Sequence, residues 1–219
     1  VDDFGKPQGK YRQPPESGSI ITVPTSMAER VGKTDTLIIV EGTKQTIAAT
    51  ILADANPTQL VVGVQGCWGW RDGDTKEINE DLVRVASGRG ANDRAAKDAH
   101  PVKRVVIIFD ADIATNRAVW AAANGLRTAL KTRASIPARQ IKFVSLAFLG
   151  GTQGLDDYLG SRDPEERGKI FTDLVEGAGA LGKKPAPANS SFASSTDQDI
   201  SYEVSYDPPY IDEIRTIDF

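Results

Sequence analysis

Cysteine and histidine are nearly absent: the 219 residues contain one of each, Cys67 and His100. A lone cysteine excludes a disulfide framework within the chain and a cysteine-based zinc site, and it suits the reducing cytoplasm, where the protein is expected to reside. A lone histidine, lying before Pro101 in a polar stretch, excludes Ser-His-Asp hydrolysis, multi-histidine metal centres and histidine-paired nucleases within this chain. No apolar run approaches the roughly 20 residues needed to cross a bilayer, so no membrane partner is expected. The opening Val1-Asp-Asp-Phe-Gly-Lys6 has the pattern of neither a signal peptide nor a transit peptide. A start at valine and not methionine reads as a fragment of something longer.

Charge of one sign is missing from whole stretches. From Ile113 to Leu155 there is no Asp or Glu, while Arg117, Arg127, Lys131, Arg133, Arg139 and Lys142 all fall there. Arg84, Arg89, Arg94, Lys97, Lys103 and Arg104 form a second basic cluster, diluted by Asp93 and Asp98. Residues 178–219 hold three of the 26 basic and seven of the 30 acidic side chains, leaving 23 of each in residues 1–177. The net charge of −4 therefore belongs to an acidic tail attached to a neutral, unevenly charged body, the pattern expected for a polyanion partner.

What is present in strength is short β-branched runs that stop on carboxylates. Leu37-Ile-Ile-Val-Glu41-Gly42-Thr43-Lys44 and Val105-Val-Ile-Ile-Phe-Asp110-Ala-Asp112 read as buried parallel strands passing into helices. Gln59–Val64 and Gln140–Phe148 read as two more strands. Helices are expected after Thr43, taken as an N-cap, with Ile47, Ala48, Ile51, Leu52 and Ala55 as the apolar face; within Asp72–Ser87; over Ala114–Thr132; from Gly154; and over Pro164–Glu176. Trp68 and Trp70 would alternate onto one side of an extended segment, to cover the sheet end or stack on bases. Gly88–Pro101 reads as a basic mobile loop. Gly32-Lys33-Thr34 is not a phosphate-binding P-loop, because it precedes its strand and Met27 stands where the pattern needs glycine.

The alternation predicts an α/β domain over residues 35–177, with a central, mostly parallel sheet of about four strands and helices on both faces. Residues 1–34 are expected as an irregular segment packing on it, with a strand near Ile20–Val23, and 178–219 as a flexible acidic tail or linker. Open α/β sheets bind ligands beyond the carboxyl ends of their strands, so Glu41, Asp110 and Asp112 are expected to share one crevice and suggest a divalent metal. Asp156 and Asp157 read first as helix-start acids favoured by the macrodipole.

In this order the motifs resemble a known family. Glu-Gly at one strand end and Asp-x-Asp at a later one resemble the Toprim domain of primases, topoisomerases and some nucleases. Tyr11-Arg-Gln-Pro-Pro, Val40-Glu-Gly-Thr-Lys44, Gly63-Val-Gln-Gly-Cys-Trp-Gly-Trp70, Phe109-Asp-Ala-Asp-Ile-Ala-Thr-Asn116 and Gly154-Leu-Asp-Asp-Tyr-Leu159 look more closely like the Toprim-like domain of plasmid, phage and integrated-element replication proteins. The resemblance implies a Rossmannoid fold, Glu41 as general acid or base, and Asp110 and Asp112, with Glu41, around Mg²⁺ or Mn²⁺. It implies phosphoryl transfer on DNA or RNA, single-stranded by expectation, with nucleotides as substrates and other replication domains or proteins as partners. Lys44, Arg71, Arg89, Arg94, Lys97 and Arg117 are the candidate nucleic-acid contacts. Primase-like nucleotidyl transfer leads; the alternatives are a Toprim nuclease and a non-catalytic binding module. A haloacid-dehalogenase-like phosphatase, suggested by Asp110-Ala-Asp112, is disfavoured because that class carries its aspartate pair after the first strand.

Overall fold

In the computed structural model the strand residues are apolar on both faces, which only a sheet covered on both sides can accommodate. The structure describes residues 19–89, 100–146 and 154–187. Four strands form one sheet: β1 (Thr36–Glu41), β2 (Gln59–Val64), β3 (Arg104–Ile108) and the short β4 (Ile141–Phe143). Their order is β2-β1-β3-β4 and every pairing is parallel. The fold is therefore α/β, with a four-stranded parallel sheet. The chain runs outward from β1 to β2 and then returns to the other side of β1 for β3, so the topological switch lies between the carboxyl ends of β1 and β3.

Six helices accompany the strands among the described residues: α1 (Thr25–Ala28), α2 (Thr43–Ala53), α3 (Glu80–Ala86), α4 (Arg117–Arg133), α5 (Leu155–Gly160) and α6 (Arg167–Glu176). α2 packs against β1, β2, α5 and α6, whereas α3 packs against α4. Leu37, Ile38, Ile39, Val40, Val105, Val106, Ile107 and Ile108 are all fully buried between these layers. No helix among the described residues is long and apolar enough to cross a membrane.

α2 turns a different face inward from the expected one. Gln45, Thr46, Ala49 and Ala53 are buried, while Ile47 and Ile51 are 56% and 68% exposed. The cause is close approach to the sheet: a Cβ on Gly63 of β2 would stand 2.1 Å from Thr46 Oγ1, so only small or locally bonded side chains fit beneath the helix. Thr46 Oγ1 in turn donates to the Gly42 carbonyl at 2.7 Å. Thr43 is the first helical residue and not the cap. The cap is Gly42 at φ 80°, a conformation that lets the chain turn directly from Glu41 into the helix and that glycine adopts without steric cost.

Other boundaries shift for local reasons. The helix expected within Asp72–Ser87 is confined to α3, because Asp72 Oδ1 accepts from the amides of Asp74 and Thr75 in a turn and Arg71 bridges Ile78. The long helix starts at Arg117, where Asn116 caps it by accepting from the Ala118 amide, and residues Ala111–Ala114 form a 3₁₀ turn. Phe143, the last residue of β4, pairs antiparallel with Gly179; residues 147 and 148 of the expected strand lie outside the described residues. At the start of the described chain Thr22 bridges Gly63, Met27 is fully buried, and Arg30 Nη1 donates to the carbonyls of Ala53, Asn56 and Gln59. By its contacts the chain divides into Val1–Ala186 and Pro187–Phe219; all of the second unit beyond Pro187 lies outside the described residues.

Candidate functional site

The register of β1 and β3 pairs Val40 with Ile108, so both strands release their chains at the same level of the sheet. Glu41 is the last residue of β1, and Asp110 follows β3 after the fully buried Phe109. Asp112 sits in the 3₁₀ turn that leads into α4. The structure thus brings the three carboxylates together at the topological switch, as the motif order predicts.

At this spacing the carboxylates act on one another electrostatically. Burial, then the charges of Asp110 and Asp112, push the Glu41 carboxyl from its ordinary 4.5 up to about 7, against the opposing pull of the Asp110 and Cys67 amides. The Asp110 carboxyl is also raised, first by burial and then by Asp112, Asp156 and Asp157, with a hydrogen bond from Gln45 opposing. Cys67, at the same crevice, is pushed up to about 11 by burial and by Glu41 and the two aspartates, so its thiol stays protonated and is no nucleophile at neutral pH.

Three oxygens of this group are buried with no hydrogen-bond partner: Glu41 Oε2, Asp112 Oδ1 and Gln45 Oε1. Buried acceptors left this way cost about 1–3 kcal/mol each, more when charged, and their clustering marks a place where a cation or donor belongs. An all-oxygen donor set suits Mg²⁺ or Mn²⁺, which take one or two carboxylates and complete their shell with water and phosphate. Among the described residues no three His, Cys, Asp or Glu side chains form a ready coordination set. Asp110 and Asp112, with Glu41 beside them, fit a hydrated ion and do not form a closed cage.

Two supports of the site are not apparent from the sequence. Gln45, buried on α2, donates through Nε2 to Asp110 Oδ1 at 2.6 Å. Gly154 makes room for it: a Cβ there would come within 2.4 Å of Gln45 Nε2 and 2.7 Å of Asp156 Oδ1. Asn116, besides capping α4, donates through Nδ2 to Asp112 Oδ2 at 3.0 Å. Asp156 and Asp157 stand in the first turn of α5, as helix-start acids do, yet their charge also reaches Asp110. They belong to the same acidic crevice.

The basic residues divide. Lys44 is exposed in the first turn of α2, and Arg117 is exposed at the start of α4. Arg71 follows the segment whose Cys67 amide faces Glu41; its guanidinium lies 3.8 Å from the ring centroid of Trp68 and 4.8 Å from that of Trp70. Residues 67–70 form turns and not an extended segment, and Trp70 is buried while Trp68 is 37% exposed. Arg89 is not at the crevice. Gly88 abuts His100, which precedes the amino end of β3, so Arg89 lies at the opposite edge of the sheet from the carboxylates. Arg94 and Lys97 lie outside the described residues.

The family model described as "Domain of unknown function (DUF3854)" matches residues 31–166. No curated protein matches the sequence. One similar chain comes from the solved structure of bacteriophage T7 lagging-strand DNA polymerase interacting with primase domains of two gp4 subunits bound to an RNA/DNA hybrid and dTTP. The similarity covers 68% of this chain and 57% of that one, at 13% identity and a TM-score of 0.36. The present chain thus spans less than two thirds of that chain, and a likeness at this level bears on neither activity nor partners.

Proposed function

The chain belongs to the DUF3854 family of domains of unknown function, and we propose that it is a Mg²⁺- or Mn²⁺-dependent nucleic-acid phosphoryl-transfer module of a DNA replication protein, primase-like in its chemistry. One observation carries this reading: Glu41 Oε2 and Asp112 Oδ1, buried and without partners, lie beyond neighbouring strand ends at the topological switch. Asp110 and Asp112 would hold the ion, which when bound would neutralise phosphate charge and orient the reacting oxygens. The protein's own groups do the rest. Glu41 is the group placed to act as acid or base at the attacking or leaving oxygen; in the metal-free protein burial and then the aspartate charges push its carboxyl up to about 7, and a bound cation would oppose the part due to the aspartates. Gln45 fixes the Asp110 carboxylate and Asn116 fixes that of Asp112, so each presents its other oxygen in a set direction. Lys44, Arg71 and Arg117, on the elements that border the crevice, supply positive charge for a single-stranded DNA or RNA backbone and for nucleotide phosphates.

A second reading is favoured by the placing of Arg89 with Lys103 and Arg104 at the amino end of β3, away from the carboxylates: a module that binds single-stranded nucleic acid or a replication partner without turning it over. The two separate on Mn²⁺ binding, followed by the electron paramagnetic resonance signal of the free ion, together with extension or cleavage of labelled oligonucleotides. In the catalytic case Asp110→Asn and Asp112→Asn abolish tight Mn²⁺ binding. Glu41→Gln retains it and loses roughly two to four orders of magnitude in turnover. Primer extension identifies the primase-like activity and shortened oligonucleotides the nuclease alternative. If all three variants bind Mn²⁺ as the parent does and the parent itself forms no product, the catalytic reading is wrong.

A further inference from the structure

A cavity of about 270 Å³ opens at the carboxyl ends of β3 and β4, next to the acidic crevice. One wall is the turn after Asp112, with Ile113; the others are Trp120 on α4, Val144 and Ser145 beyond β4, and Leu181 and Lys183 in the segment after α6. We propose that this cavity receives the base of a nucleotide whose phosphates lie at Glu41, Asp110 and Asp112, an assignment that rests on the phosphoryl-transfer reading of that crevice.

Size, chemistry and position agree on this occupant. Pockets that enclose a drug-sized ligand run to roughly 300–1,000 Å³, so this cavity suits a planar heterocycle and not a whole nucleotide. Its aromatic wall is held in place: Trp120 is half-buried, and its indole N–H donates to the Gly182 carbonyl at 2.8 Å. A fixed ring is a stacking surface for any base, since every base has a π-face. Lys183 on the rim, Lys184 with its ammonium 5.9 Å from the Trp120 ring centroid, and Arg117 one turn before Trp120 along α4 give the cavity mouth a positive charge that suits the attached phosphates. Ile113 directly follows Asp112 in the chain, so a ligand filling the cavity has its remaining atoms beside the carboxylates. The exposed Ser145 offers a hydroxyl at the rim for the edge of the base.

The test compares Mn²⁺-ATP with Mn²⁺-tripolyphosphate, which has the phosphates but no base, by titration calorimetry on the full chain. ATP is expected to bind about tenfold or more tightly than tripolyphosphate, the lower part of what stacking on one aromatic side chain gives. Trp120→Leu should bring ATP down to the tripolyphosphate value, with Trp120→Phe recovering most of the difference. Ser145→Tyr, which fills the cavity from an exposed position and leaves the core untouched, should reproduce the selective loss even where Trp120→Leu folds poorly. Equal affinity for the two ligands in the parent, or variants that weaken both equally, overturns the base site while leaving the phosphate crevice intact. Failure of both ligands to bind the parent overturns the reading of the crevice, and the base site with it.

Discussion

Glu41→Gln tests whether the Glu41 carboxylate is held at a cost in the metal-free protein, first by burial and then by the neighbouring aspartates. Burial and the nearby charge of Asp110 push the Glu41 carboxyl from 4.5 up to about 7. The folded state therefore holds this proton more tightly than the unfolded chain does. Stability then falls as pH rises from about 4.5, and the full penalty is reached above about 7. At 1.36 kcal/mol per pKa unit the penalty at pH 8 comes to about 3 kcal/mol. Glutamine keeps the shape and removes the charge, but its amide must be buried in the same place, at a cost of roughly 1 kcal/mol. The expected net gain at pH 8 is about 2 kcal/mol, or a rise in Tm of about 4–8 °C for a chain of this size.

The assay is thermal unfolding followed by circular dichroism, in chelator, from pH 4 to pH 8. Near pH 4, where Glu41 is mostly protonated in both folded and unfolded states, only the roughly 1 kcal/mol amide cost remains and the variant should melt about 2–4 °C below the parent. The difference should change sign between pH 5 and pH 7 and stay constant above. Saturating Mn²⁺ should raise the melting temperature of both proteins, since Asp110 and Asp112 are present in each and binding to the folded state adds to stability by mass action. A parent that melts no lower at pH 8 than at pH 5, or a variant that melts no higher than the parent at pH 8, would refute the buried, crowded setting of the Glu41 carboxylate.

Gln45→Leu removes the donor to Asp110 Oδ1, and Gly154→Ala pushes a Cβ into the space of the same amide. Each should weaken Mn²⁺ binding about tenfold by calorimetry; because both break one link, the double variant should lose little more than either alone. Arg71→Ala should weaken oligonucleotide binding at every sequence and lower the salt slope by about one, whereas Arg71→Lys keeps the slope but loses roughly 1 kcal/mol of stability with the stacking on Trp68 and Trp70.

The sheet was legible in the sequence because β1, β2 and β3 are apolar runs rich in β-branched residues and too short for a buried helix. The three carboxylates were legible because motif order along a parallel sheet determines which strand ends meet. The face of α2 was not. Ile47 and Ile51 make a helical apolar stripe that points to solvent, and the inward stripe of Gln45, Thr46, Ala49 and Ala53 looks polar and weak until the closeness of Gly63 is known. Gln45 escaped notice for a related reason: its partner Asp110 is 65 residues away, and no local pattern joins an amide to a distant carboxylate. Asp156 and Asp157 had a sufficient local explanation at a helix start, which hid their second role. Arg89 is a candidate contact by the charge of its stretch alone; a strand's amino and carboxyl ends lie at opposite ends of the sheet, and charge counting along the chain does not distinguish them.

On the proposed function, that division of charge decides how nucleic acid would bind. The crevice gathers Glu41, Asp110, Asp112, Asp156 and Asp157, and a phosphate brought there without a counterion meets repulsion that Lys44, Arg71 and Arg117 at its border offset only in part. Binding through the crevice would then depend on a divalent ion. Binding through the edge that carries Arg89, Lys103 and Arg104 has no such need. With a labelled single-stranded oligonucleotide at fixed ionic strength, the catalytic reading expects affinity to drop about tenfold or more when EDTA replaces Mn²⁺, and Asp112→Asn to abolish the Mn²⁺ dependence. The non-catalytic reading expects equal binding in EDTA and Mn²⁺, unaffected by Asp112→Asn and weakened by Arg89→Ala. Equal affinity in the two buffers would place the nucleic acid away from the carboxylates, and phosphoryl transfer at this crevice would then have no substrate.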